Sequence, residues 1–165
     1  MMTGGALAVP QVAVDAILTE VRRFGRASLE TGGFFLVEGR ARDTVTVIAM
    51  AGRKGIERSR GVFRISATAI DVLFGWADER GLRIPAQFHS HAWGSRLSPI
   101  DRREGFNVRG FVSCVVPRYG DPPCEVASWG WWLFSGRTWV ATELASVVTG
   151  EVATVTFDEN GVIGG

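Results

Sequence analysis

Residues 84–91, Ile84-Pro85-Ala86-Gln87-Phe88-His89-Ser90-His91, read as a strand running out into a polar loop. Beyond that loop, Ser98-Pro99-Ile100-Asp101 reads as a helix start, with Ser98 as N-cap and Pro99 in the first helical position. Alternate residues of a strand share a face, so His89 and His91 stand side by side, roughly 6–7 Å apart along the chain, and Ser90 faces the other way. These are the only 2 histidines in 165 residues. Asp101 falls one turn into the helix, where its carboxylate can join the two imidazoles. Three such ligands with one open position form the donor set of a catalytic zinc; a structural site is expected to use four ligands, usually cysteine-rich. A His-x-His pair alone reads equally as two polar residues on a solvated face, and Asp101 alone as a charge favourable to the helix dipole.

Residues 10–24 read as an amphipathic helix. Val14, Ile17, Leu18 and Val21 recur at helical spacing, and Gly25 is placed to stop it. Residues 33–38 and 44–51 read as strands joined by a loop holding Arg42 and Asp43. A basic loop from Arg53 to Gly61, read as a solvated face or as a contact for an acidic patch on a partner, precedes a short strand, Val62–Ile65. Ser66 caps a second helix over 67–80, whose inner face carries Ile70, Leu73, Phe74 and Ala77. Strands are expected again over 110–116, 125–134 and 138–142. Several strands with three helices make an α/β or α+β layered domain.

Glu30-Thr31-Gly32-Gly33 opens the first of these strands. A carboxylate there is poor strand material, and two glycines allow a turn or the close approach of another chain. Taken together, Glu30, His89-Ser90-His91 and Ser98-x-x-Asp101 resemble the JAMM motif of the JAB/MPN zinc metallopeptidases. Leu97–Asp101 and Phe111–Pro117 resemble the prokaryotic branch, which acts on ubiquitin-like proteins. The resemblance spans roughly residues 10–140. It implies a single JAB/MPN-like domain over 1–165, core about 10–142, with a curved mixed β-sheet flanked by helices.

The same resemblance implies one Zn²⁺ per chain held by His89, His91 and Asp101, with water as fourth ligand and Glu30 as the general base and acid. Ser98 would help stabilise the tetrahedral intermediate, and Trp93 would line the groove for a peptide tail. It implies removal or processing of a ubiquitin-like protein, beside activating and conjugating enzymes of the same operon, some of them antiphage systems. A related reading is processing of a sulfur-carrier protein. Two departures stand out: Ala92-Trp93 follows the second histidine where the family usually has proline, and the spacing from His91 to Ser98 is one residue shorter than common.

Composition narrows the alternatives. Lys and Arg number 18 against 17 Asp and Glu, a net charge of +1. A duplex binder usually carries a clear basic excess, which disfavours general nucleic-acid binding and a DNA-repair role while leaving room for a local basic patch. No apolar run approaches the roughly 18 residues of a membrane span, and the first residues lack the basic start of a signal peptide. Cys114 and Cys124 are too few for a disulfide framework and too widely spaced for the usual zinc pairs. A reduced, cytoplasmic protein without membrane or nucleic-acid partners is expected. Cys114 reads as a core thiol, Ser90 as structural, and Trp129, Trp131 and Trp132 as core or sheet-face residues. A second class remains open: a catalytically silent MPN-type scaffold.

Overall fold

The run Gly32–Glu38 is apolar at both phases of its alternation, the pattern of a strand covered on both faces. In the computed structural model, which describes residues 7–39, 43–143 and 146–164, it lies near the middle of the main sheet. The elements run β1 (Ala8–Pro10), α1 (Gln11–Gly25), β2 (Gly32–Glu38), β3 (Val45–Ala51), β4 (Ile56–Arg58) and β5 (Phe63–Ile65). Then come α2 (Ala67–Glu79), β6 (Leu82–Ser90), α3 (Pro99–Glu104), β7 (Val112–Val116) and a 3₁₀ turn (Val126–Ser128). The chain continues with β8 (Gly130–Phe134), β9 (Trp139–Ala141), β10 (Ser146–Val148), β11 (Ala153–Asp158) and β12 (Gly161–Gly164).

Eight strands form one mixed sheet in the order β12-β11-β3-β2-β6-β7-β8-β9, with β3–β11 and β6–β7 parallel and the other pairs antiparallel. Short pairs β4–β5 and β1–β10 lie outside it. One face of the sheet packs Phe35, Val37, Ile48, Ala86 and Phe88 against Val14, Ile17, Leu18 and Val21 of α1. The other packs Phe34, Leu36, Ala49, Val155 and Phe157 against Ala69, Leu73 and Ala77 of α2. The single-domain α+β expectation, with helices flanking a mixed sheet, holds. No helix among the described residues is long and apolar enough to cross a membrane.

The close approach expected at Gly32-Gly33 is present. A Cβ on Gly32 would overlap the Phe88 carbonyl oxygen, and one on Gly33 the Ala49 carbonyl oxygen. β2 therefore sits hard against both neighbours, and the residues before it are fixed relative to the end of β6.

Several expectations need correcting. Of residues 125–134 only Gly130–Phe134 is strand; before it the chain turns, because the indole N–H groups of Trp129 and Trp131 bond the carbonyls of Pro123 and Val126. Ile70 and Phe74 are only half-buried on α2, Phe74 meeting Phe34 and Phe106 edge-on and stacked respectively. The sheet also continues well past residue 142. β11 enters it beside β3, with Val155 and Phe157 fully in the core. Arg42, expected in the β2–β3 loop, lies outside the described residues. Cys114 is buried and Cys124 exposed, both free.

Candidate metal centre and general base

Strand β6 delivers the histidines. His89 pairs with Gly32 on one side and Val115 on the other, so its backbone is locked between β2 and β7. Pairing persists past the strand end: Ser90 N–H donates to Thr31 O (2.8 Å) and His91 N–H to Val116 O (2.9 Å). Ser90 points to the opposite face, fully buried. Its hydroxyl oxygen accepts the Thr31 N–H at 2.9 Å and its proton goes to Thr31 O at 3.3 Å. Its role is structural, as its alternation phase implied.

Helix α3 delivers the carboxylate. Ser98 Oγ accepts the Asp101 N–H at 3.1 Å, and Asp101 Oδ2 accepts the Ser98 N–H at 2.8 Å, a reciprocal capping box with Pro99 in the first turn. The cap turns Oδ2 toward the histidines. His89 Nε2 to Asp101 Oδ2 is 3.2 Å, His91 Nε2 to the same oxygen 3.0 Å, and the two ring nitrogens are 3.0 Å apart. On the shorter loop Ser98 stands as N-cap of α3. Ser95 O accepts the Trp132 indole N–H at 2.9 Å and lies against Gly130, where any Cβ would overlap it. Gly130 and Trp132 are thus the residues that hold the loop, and sequence reasoning missed both.

These three donors make a nearly equilateral triangle, and His89, His91 and Asp101 form a group able to hold a metal ion. Tetrahedral donors about 2.0–2.1 Å from a zinc ion stand about 3.3–3.4 Å from one another, only slightly wider than the triangle here. Two histidines and a carboxylate also match that ion's ligand preference. The residues fit the group.

Burial disfavours charge on Asp101, yet hydrogen bonds from His89 and His91, with the Ser98 N–H, hold its carboxyl far below the ordinary carboxylate range. Burial likewise opposes charge on His91, but the hydrogen bond to Asp101, the charges of Asp101 and Glu30, and a backbone hydrogen bond at Gly94 together raise it above the ordinary histidine value.

Glu30 is 3% exposed, with Oε1 3.8 Å from His91 Nε2. Burial pushes its pKa from 4.5 up to about 7; His91 pulls it down and Asp101 adds to the rise. Its backbone N–H bonds Ser59 O at 2.9 Å. The next residue, Thr31, is held by Ser90 and, at Oγ1, by the Arg58 guanidinium at 3.3 Å. Arg58 came from a loop read as basic and solvated; the structure instead folds part of it into β4 and Arg58 half-inward.

Glu30, His89, His91, Ser98 and Asp101 therefore converge. Trp93 does not join them: it stands 77% exposed and does not line the cleft of about 290 Å³ beside His89 and Asp101. That cleft is walled by Phe63, Ile65, Ile70, Ile100 and Phe106, with Arg64 and Glu104 paired at its rim (2.8 Å).

No protein-family model matches the sequence, and no curated protein matches it. Solved structures do. Protein DSY2949 from Desulfitobacterium hafniense superposes with a TM-score of 0.64 at 15% identity, over 88% of this chain and 93% of that one. AF2198, a JAB1/MPN domain protein from Archaeoglobus fulgidus, gives 0.51 at 16% identity, over 86% of this chain and 100% of the other. A protein from Salinibacter ruber gives 0.52 at 22% identity, over 85% and 90%. The fold is of the JAB1/MPN kind.

Proposed function

We propose that this chain is a zinc-dependent peptidase or isopeptidase that cleaves after the C-terminal tail of a ubiquitin-like protein. One observation carries the reading. A buried carboxylate, Glu30, sits 3.8 Å from one corner of a His89–His91–Asp101 donor triangle, and nothing in packing the core requires a carboxylate there. A structural metal site has no use for such a group; hydrolysis does.

His89, His91 and Asp101 would hold the ion. A bound Zn²⁺ supplies a Lewis acid and brings the pKa of a water from 15.7 to about 7. With its own pKa raised, Glu30 is suited to take the proton of the attacking water and return it to the leaving amine. Ser98 Oγ already accepts the Asp101 N–H, and no protein acceptor among the described residues takes its proton, which is free to meet the oxygen of the scissile carbonyl. Trp93 offers an exposed aromatic surface to the tail. A ubiquitin-like modifier and its conjugates are the proposed partners, with the operon's activating and conjugating enzymes, in the cytoplasm.

The test is a panel of ubiquitin-like and sulfur-carrier proteins fused through their tails to a reporter, each with a lysine-linked counterpart. Cleavage directly after a tail, abolished by chelator and restored by zinc, is expected. A metal-loaded chain that cleaves none of them would overturn the substrate class.

A further inference from the structure

A second cleft, of about 510 Å³, shares no lining residue with the first. Four cationic side chains line it, Arg23 from α1, Arg53 and Lys54 from the β3–β4 loop and Arg58 from β4, against two carboxylates, Glu20 and Asp158. Both carboxylates are already engaged. Glu20 pairs with Arg23. Asp158 Oδ2 accepts the backbone N–H groups of Arg53 (3.1 Å) and Lys54 (3.4 Å), and its Oδ1 accepts that of Asn160 (2.8 Å). The exposed side chains of Arg53 and Lys54 have no carboxylate within ion-pair distance among the described residues.

Arg58 is the telling group. Its half-buried guanidinium donates to the carbonyls of Ala51 and Gly52, both at 2.6 Å, and to Thr31 Oγ1, and it stacks over the Phe24 ring at 4.1 Å. Every hydrogen-bond acceptor is neutral; the Glu20 carboxylate acts on this charge through space but is itself paired with Arg23, so a partly desolvated positive charge has no direct ion-pair partner among the described residues, an arrangement that an incoming anion relieves. The excess charge is spread over three elements and an open cleft, more than one compact anion can span.

We propose that this cleft is a docking site for an acidic, carboxylate-rich segment of a protein partner, separate from the metal centre. Arg58 forms its floor, and Arg53 and Lys54 are the cations that meet the partner's carboxylates. The site stands whether or not the metal centre is catalytic.

The experiment titrates labelled oligoglutamate against the full chain, with oligoglutamine as control, at low and physiological salt. Saturable binding of oligoglutamate alone, weakened by salt, is expected. The double variant Arg53→Glu/Lys54→Glu should weaken it about tenfold or more. Asp158 holds the backbone of these residues, not their side chains, so the loop persists; Arg53→Gln/Lys54→Gln serves as a milder second variant. Metal content should be unchanged in both. No oligoglutamate binding at low salt, or binding indifferent to both variants, would overturn the proposal. So would inorganic phosphate binding at the Arg53/Lys54 site without competition from oligoglutamate, which would assign the cleft to a compact anion.

Discussion

Replacing Glu30 by glutamine separates the cost of burying this carboxylate from its use. In the metal-free chain Glu30 titrates at about 7 instead of 4.5 because burial opposes its charge. Below pH 4.5 the carboxyl is protonated in folded and unfolded chains alike and costs nothing. As pH rises from there to about 7 the unfolded chain releases the proton and the folded chain keeps it, so stability falls; above about 7 the whole penalty is present. At about 1.4 kcal/mol per pH unit it amounts to about 3 kcal/mol. Glutamine cannot ionise. Metal-free Glu30→Gln should therefore match the wild type in acid and exceed it by up to about 3 kcal/mol at about pH 8, moving the urea midpoint up by about 1–3 M. Added zinc should narrow the gap by favouring the ionised carboxylate, while turnover of the variant drops by about 10²–10⁴-fold with metal retained. Urea melts of both proteins across this pH range, with and without zinc, measure the difference. A gap near zero at every pH would mean that Glu30 is solvated in the folded chain and that burial does not raise its pKa.

Other substitutions follow from the same geometry. Ser98→Ala removes the acceptor for the Asp101 N–H and should cost about 1 kcal/mol in a thermal melt; metal should stay, and kcat should fall about 10²–10³-fold if the hydroxyl meets the substrate oxygen. Gly33→Ala drives a Cβ into the Ala49 carbonyl and should destabilise by about 3 kcal/mol or more. By contrast Gly75→Ala, in the middle of α2 with nothing within 4 Å, should stabilise by about 0.5–1 kcal/mol. Trp93→Ala, at a side chain with little burial, should change stability by less than about 0.5 kcal/mol and raise KM for a tail-bearing substrate.

The candidate site was largely legible in the sequence because its parts follow from local rules. A period of two sets His89 and His91 on one face, Ser-Pro fixes the start of α3, and the first turn of a capped helix orients Asp101. Glu30 was legible as an anomaly, a carboxylate at the mouth of an apolar strand. What escaped depends on distant contacts. β11 carries the alternation Thr154-Val155-Thr156-Phe157, which could have signalled a strand, but its partner β3 lies about a hundred residues upstream. Trp129 and Trp131 suggested a longer β8, and only their indole bonds to Pro123 and Val126 turn the preceding residues away. Arg58 sits in a basic run that reads as solvated; its inward fork depends on the free carbonyls of Ala51 and Gly52, which no spacing rule reveals. The loop from His91 to Ser98 keeps its register because Gly130, far along the chain, leaves room for Ser95.

Zinc binding by His89, His91 and Asp101 is read directly from metal content. The measurement is the zinc content of the chain purified without chelator, wild type beside Asp101→Ala. A His89–His91–Asp101 site predicts close to one zinc per wild-type chain and a sharp fall in the variant. No zinc in the wild type, even after the metal is resupplied, would contradict it and leave this fold as a scaffold.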